Sequence, residues 1–286
     1  MELLRAIGSS STVGDLCAHL ESGERVVATG AQGSSTNLIA AAVAVRTKRP
    51  VFLLVAHLDD ADECEAELND LGRPVLRMPA LEVLPGETTL AFDLFAQRLA
   101  VVRALRDLRD GADGAPVIVC PIQAAMQGVP APDRADDLVR SLAVGGRADP
   151  SDLAAWLGES GYKRLDAVEE PGDFAVRGGI VDIFPAGGSV VPGGGAERKK
   201  EAVAAPVRID FFGDEIESIR EIDLETMGSD RALESVDVIT NSTEHAKPND
   251  ASVCVLDLVP AGTLGLISET LEVTDVNRRI MAKKYY

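Results

Sequence analysis

Apolar and polar positions follow two different patterns along the chain, and the first pattern predicts strands and helices in alternation. Short aliphatic runs such as Val51–Ala56 are typical of buried strands. Between these runs, apolar residues recur at every third or fourth position, which predicts amphipathic helices. Strands that alternate with helices indicate a parallel sheet with helices on both faces. The predicted strands are Arg25–Thr29, Val51–Ala56, Pro74–Met78 and Val117–Cys120, and the predicted helices are Asn37–Val45, a segment capped by Asp59 or Asp60, and Phe92–Leu105.

The second pattern begins after Pro130 and predicts β-hairpins. A polar stretch with glycine and proline comes first, and such a composition is typical of a linker. A short helix at Asp152–Ser160 is followed by alternating runs joined by Pro-Gly and Gly-Asp turns, which predict antiparallel pairs. The expected organisation is a first domain over residues 1–135, a linker over 136–150, a small α+β domain over 151–235 with a Gly-, Lys- and Ala-rich loop at 187–205, and a return to the first domain over 236–286.

The charge of the chain narrows the classes of partner. The 286 residues include 28 Lys and Arg against 46 Asp and Glu, which gives a formal net charge of −18. An acidic surface repels phosphate groups, so the composition argues against tight nucleic-acid binding and against docking on anionic membranes. No apolar run reaches the roughly 20 residues of a membrane span. The four cysteines form no CxxC motif, so we expect no metal site and a reducing, cytoplasmic location.

A loop with glycine and hydroxyl residues lies between the first predicted strand and the first predicted helix. In a P-loop this position carries GxxxxGK[ST], in which the lysine neutralises phosphates and the hydroxyl binds Mg²⁺. Here Gly30 begins the loop and Gly33 lies within it, but Ser35 replaces the second motif glycine, Thr36 the lysine and Asn37 the Mg²⁺ ligand. The loop is either a nucleotide site that has lost its chemistry or an ordinary strand-to-helix turn. Both alternatives predict no ATP hydrolysis, because phosphoryl transfer depends on that cation.

The acidic pair that would hold Mg²⁺ at the end of a later strand is also incomplete. Asp257 is followed by Leu258, and Glu269 is preceded by Ser268, so neither candidate gives adjacent Asp and Glu residues. We therefore expect neither ATP nor Mg²⁺ as a cofactor, no catalytic residues and no enzyme activity in this chain.

A longer stretch carries a specific resemblance. The sequence GYKRLDAVEEPGDFAVRGGIVDIFPA, followed by PVRIDFFGDEIESIREID, resembles the second domain of the excision-repair protein UvrB. It is more similar still to the UvrB-like module of the transcription-repair coupling factor (Mfd) family. The segments VLRMPALEVLPGE, QRLAVVRAL and VIVCPIQAAMQGVP are similar to the first domain of that family. The resemblance covers most of residues 15–275 and makes 187–205 an insertion. It implies a degenerate RecA-like, P-loop NTPase-type domain interrupted by a small α+β domain like the second domain of UvrB.

The resemblance implies a protein-docking function in transcription-coupled nucleotide excision repair. In the family this module recruits UvrA, and the parent protein is an ATP-dependent DNA translocase that displaces stalled RNA polymerase. The motor domains and the contacts with RNA polymerase and duplex DNA would lie outside this chain. The alternative is a nucleotide-dependent DNA-processing enzyme of the UvrB type. That enzyme needs a lysine where Thr36 stands and a Tyr-rich hairpin, whereas residues 84–99 contain no tyrosine. A free-standing adaptor made from the module alone is a third possibility.

The resemblance also implies which residues bind UvrA. The matching positions are Arg164, Arg177, Arg208 and Asp210. Arginine suits the recognition of carboxylates and often anchors interfaces. The competing interpretation is that these residues form weak surface ion pairs with one another.

Strand alternation supports an outward position for part of this set. Arg177 alternates with apolar neighbours, and Arg208, Asp210 and Phe212 share one face of a predicted strand. We expect a bulge at Gly178 and Gly179 that keeps the following apolar residues inward and turns Asp182 outward.

Overall fold

The computed structural model describes residues 2–31, 33–81, 92–185, 205–224, 228–240, 252–268 and 270–284. The chain forms two compact units. The first comprises residues 1–81, 101–129 and 252–286, and the second comprises residues 82–100 and 130–251.

The described part of the chain contains ten helices and fourteen strands. Up to residue 143 they are α1 (Glu2–Ser9), α2 (Ser11–Glu21), α3 (Ser34–Thr47), β1 (Val51–Val55), α4 (Leu58–Asp70), β2 (Val75–Arg77), α5 (Phe92–Arg109), β3 (Val117–Pro121), α6 (Ile122–Ala125), β4 (Val129–Pro130), α7 (Pro132–Asp137) and β5 (Val139–Ala143). After it come α8 (Pro150–Glu159), β6 (Lys163–Arg164), β7 (Asp173–Arg177), β8 (Ile180–Ile183), β9 (Val207–Phe212), β10 (Glu215–Ile222), β11 (Ser229–Leu233), β12 (Ser235–Ile239), β13 (Ser252–Val253), α9 (Val255–Leu258), β14 (Leu264–Ile267) and α10 (Thr270–Lys284).

The first unit contains a four-stranded parallel sheet in the order β14-β1-β3-β2. Val51 of β1 lies opposite Leu264 on one side and Val117 on the other, and Val117 also faces Val75 of β2. The continuous apolar composition of β1 and β3 follows from this position, because a strand in the middle of a covered sheet is buried along its length. The predicted α/β class and its parallel sheet are confirmed.

One face of this sheet is covered by helices through small side chains. Residues 40–44 of α3 are alanine and valine and are fully buried. They pack in one core with Leu53 of β1 and Leu68 of α4. Because alanine has no long side chain, α3 lies close to the strands and also to α1.

The prediction of a first strand at Arg25–Thr29 is wrong. These residues form neither strand nor helix, and the Val27 side chain is 90% exposed. A run of β-branched residues forms a strand only where a neighbouring strand supplies backbone partners, and the segment has none among the described residues. Asp257 also lies in the short helix α9 rather than at the end of a strand, and Glu269 lies outside the described residues.

The second unit contains a six-stranded sheet in the order β11-β10-β9-β8-β7-β6. All of its pairs are antiparallel except β6 with β7. The predicted hairpins are therefore confirmed. The apolar face of the sheet packs on α8 through Leu153 and Leu157, which share a core with Val181 and Ile183.

The turn between β7 and β8 differs from the predicted bulge. Arg177 pairs with Ile180, so Gly178 and Gly179 form a two-residue hairpin turn. Gly178 has a φ of +61°, which favours glycine. A Cβ atom on Gly179 would lie 2.9 Å from the Phe211 carbonyl oxygen, so the close approach of β9 also requires glycine here.

The second unit begins and ends elsewhere than the sequence suggests. Residues 136–150, expected as a linker, contain β5, which pairs antiparallel with β12. Leu142, Val236 and Val238 of this pair are buried in the core of the six-stranded sheet. The return to the first unit therefore comes at about residue 252 rather than 236. The predicted loop at 187–205 lies almost wholly outside the described residues. Among the helices described, none is long and apolar enough to cross a membrane.

Candidate functional site

The face of the six-stranded sheet opposite its main core carries most of the predicted site residues beside a small buried cluster that includes Ala175 and Phe184. We call this the polar face. Along β9, Val207, Ile209 and Phe211 are buried in the core, whereas the residues between them point to the other side. Arg208, Asp210 and Phe212 thus share the polar face, as predicted.

Arg208 is fixed by a buried carboxylate. It lies directly opposite Asp182 of β8. Its Nε donates to Asp182 Oδ1 at 2.7 Å and its Nη2 donates to Oδ2 at 2.8 Å, which is a bidentate pair. The hydrogen bond with Asp182 raises the pKa of the Arg208 guanidinium above its ordinary value. Asp182 belongs to the polar face, as expected, but it is only 1% exposed.

Arg177 approaches the same carboxylate from the end of β7. Its Nη2 lies 3.7 Å from Asp182 Oδ2. Its Nε and Nη2 also donate to the carbonyl oxygen of Asp166, at 3.2 and 2.9 Å. The Arg177 side chain remains 51% exposed. Two arginines therefore meet over one buried aspartate.

Asp210 is tied to the neighbouring strand. Its Oδ2 accepts a hydrogen bond from Ser218 Oγ at 2.5 Å and lies 3.9 Å from Arg220 Nη2. Arg220 is also the cross-strand neighbour of Arg208. The polar face thus carries two linked charge groups, around Asp182 and around Asp210.

Arg164 is the predicted residue that the sheet does not bring to this cluster. It is exposed on the edge strand β6 and lies in register with Phe174, whose side chain belongs to the apolar core. The structure therefore joins Arg177, Arg208 and Asp210 on one face and leaves Arg164 at the edge of the sheet.

Sequence reasoning placed Phe212 and Asp182 on this face but gave neither residue a role in binding. Phe212 is 79% exposed beside the Gly213-Asp214 turn, which is unusual for an aromatic side chain. The exposure of Phe212 could have been predicted, because side chains alternate along a strand and the second phenylalanine of the Phe211-Phe212 pair must face away from the core. Asp182 was placed on the right face, but no sequence pattern shows that arginines would pair with it.

The first turn of α3, which follows the glycine loop, binds the carboxylate of Glu67. Gly33, with a φ of +52°, precedes the first residue of α3. Ser34 Oγ donates to Glu67 Oε1, and Asn37 Nδ2 donates to Glu67 Oε2 at 2.9 Å. Thr36 donates its backbone N–H to the Gly33 carbonyl oxygen. A carboxylate at this position repels phosphate, and the described residues contain no cluster of His, Cys, Asp and Glu suited to a metal ion.

Comparison with known proteins identifies the second unit and most of the chain. The family described as the UvrB interaction domain matches residues 141–192 and 199–243. The transcription-repair-coupling factor of Bacillus subtilis (strain 168) is 32% identical over 212 residues, which cover 73% of this chain and 16% of that protein. The chain belongs to the transcription-repair coupling factor family and contains a UvrB interaction domain. The resemblance carried by the sequence motifs is thereby confirmed.

Two further relatives in the family show the same partial coverage. The transcription-repair-coupling factor of Escherichia coli (strain K12) is 26% identical over 239 residues, or 83% of this chain and 19% of its own length. That of Staphylococcus aureus (strain bovine RF122 / ET3-1) is 27% identical over 217 residues, or 75% and 17%. The chain spans less than a fifth of the length of these relatives. The UvrB interaction domain match begins within β5 and ends just after β12, so it extends beyond the expected domain of residues 151–235 on both sides.

Proposed function

We propose that this chain is a protein-docking module that recruits UvrA through the polar face of its six-stranded sheet. The observation that carries the proposal is the meeting of Arg177 and Arg208 over the buried Asp182, with the exposed Phe212 on the same face. The setting would be transcription-coupled nucleotide excision repair, as in the family to which the chain belongs.

The composition of this surface supports a protein partner. Arginine and aromatic side chains are enriched among the residues that dominate interface energies. A fixed guanidinium can bind a carboxylate of the partner with little further loss of side-chain freedom. Phe212 exposes an apolar ring to water, and burying that ring in a complex is favourable.

The first unit supports a role without nucleotide chemistry. We propose that it is a degenerate RecA-like domain, because Thr36 replaces the lysine of the phosphate loop. In addition, the Glu67 carboxylate accepts hydrogen bonds from the first turn of α3. ATP hydrolysis, DNA translocation and contact with RNA polymerase would belong to the parts of the parent protein that this chain does not include.

The proposal is tested by measuring UvrA binding with variants of the exposed residues. Arg177→Ala and Phe212→Ala should each weaken binding about tenfold or more, which corresponds to about 1.4 kcal/mol. Both side chains are largely exposed, so the melting curves should stay close to that of the parent chain.

Arg134→Ala is the matched control. Arg134 belongs to the same unit and forms an exposed pair with Asp137 on α7, at 3.7 Å. Its loss should change neither binding nor stability. If Arg177→Ala and Phe212→Ala also bind UvrA like the parent chain, the polar face is not the docking surface.

A further inference from the structure

We infer that Asp182 is the positioning residue of the proposed docking face, holding Arg177 and Arg208 in the orientation that the partner recognises. The inference rests on the proposed function, and it assigns a role to a residue that does not itself reach the partner.

The position of Asp182 in the sheet places its carboxylate next to both arginines. It lies on β8 between Ala175 of β7 and Arg208 of β9, in one cross-strand row. Ala175 is small and buried, so the carboxylate has a long side chain on only one side of this row. Arg177, two residues along β7, reaches the same carboxylate from the hairpin end.

The bonds to Asp182 fix the plane of the Arg208 guanidinium. Nε and Nη2 are both engaged, at 2.7 and 2.8 Å, so the fork cannot rotate without breaking a pair of charge-assisted hydrogen bonds. The edge that carries Nη1 lies on the other side of the guanidinium from Asp182. A free arginine side chain samples many rotamers and loses them on binding, whereas a side chain already held in place loses few.

Burial separates positioning from direct contact. Asp182 is 1% exposed, so a partner that approaches the polar face meets the arginines and not the carboxylate. Removing the charge of Asp182 should therefore change the affinity for UvrA only through its effect on the two arginines. A purely structural role would instead lower stability without changing the affinity of the folded protein.

A double-mutant cycle with Asp182→Asn and Arg208→Gln tests this distinction. UvrA affinity is measured on folded protein, well below each melting temperature, for the parent chain, both single variants and the double variant. Asp182→Asn should weaken binding about fivefold or more, which corresponds to about 1 kcal/mol. In the Arg208→Gln background the same change should cost little further affinity, because the arginine through which Asp182 mainly acts is already absent.

The matched control is Asp173→Asn. Asp173 is another buried aspartate of the same sheet, but its carboxylate accepts from the backbone N–H groups of Glu169 and Glu170 rather than from arginine. Its substitution should lower stability and leave the UvrA affinity of the folded protein unchanged.

A second variant covers the case in which Asp182→Asn does not fold. Arg208→Lys keeps the positive charge but cannot form the bidentate pair. If orientation matters, it should bind UvrA almost as weakly as Arg208→Gln.

Each of three results would overturn the inference. The first is an Asp182→Asn variant that binds like the parent chain, the second is an equal cost of that change in both backgrounds, and the third is an Arg208→Lys variant that binds like the parent. The proposed function fails separately, and the inference with it, if Arg177→Ala and Arg208→Gln both leave UvrA binding unchanged.

Discussion

Replacing Arg208 with alanine should destabilise the second unit much more than the loss of a surface arginine usually does. The change removes both hydrogen bonds to Asp182 and leaves a carboxylate that is 1% exposed. Breaking a fully buried ion pair costs about 3–5 kcal/mol, whereas breaking an exposed pair costs about 0–1 kcal/mol. The Arg208 side chain is 21% exposed and Arg177 lies 3.7 Å from the same carboxylate, so some compensation remains. We therefore expect a loss of about 2–3 kcal/mol in the free energy of unfolding.

The assay is equilibrium unfolding in urea, with the double variant Arg208→Ala and Asp182→Asn as the diagnostic. Because asparagine carries no charge, the double variant should regain at least half of the lost stability. Arg231→Ala is the control, since its pair with Glu221 at 3.5 Å on the same sheet is partly exposed and should contribute less than about 1 kcal/mol. A cost for Arg208→Ala below about 1 kcal/mol, or a double variant no more stable than the single one, would refute the reasoning.

We make two further predictions for the first unit. ATP with Mg²⁺ should not raise the melting temperature, whereas a nucleotide at about 100 times its dissociation constant would stabilise the protein by about 2.7 kcal/mol; a clear shift in differential scanning fluorimetry would contradict the loss of chemistry at Thr36. The hydrogen bond that His57 Nε2 donates to Glu272 Oε1 raises the pKa of His57. The stability from this pair is therefore present below the ordinary imidazole pKa of about 6.5 and is lost as the pH rises through the higher folded value. Because both side chains are about half exposed, His57→Gln should remove only a small pH-dependent change in melting temperature, and an unaltered pH profile would show that the pair contributes nothing.

Local periodicity was sufficient for the elements whose partners are close in sequence. The hairpins β7–β8 and β9–β10 have short turns, and their alternation correctly separated Phe211 from Phe212. The buried strands β1 and β3 were also predicted, because a short aliphatic run bounded by turn residues is typical of a strand inside a covered sheet.

The features that sequence reasoning missed depend on distant contacts. β5 contains polar residues such as Arg140 and Ser141, and only its pairing with β12, almost a hundred residues later, makes it a strand. Arg25–Thr29 has strand composition without a strand partner. At the candidate site, the buried Asp182 pairs with arginines from two other strands. The carboxylate at the glycine loop comes from Glu67, on the following helix.

The pairing of β5 with β12 has a consequence for how this protein can be divided. The chain passes through β5 before the six-stranded sheet and through β12 after it, and these two strands run side by side in antiparallel register. A segment whose two ends are already neighbours can be excised or inserted elsewhere without stretching its backbone. The segment from β5 to β12, residues 139–239, could therefore be joined to an unrelated host at a surface loop while its own strand pairing stays closed.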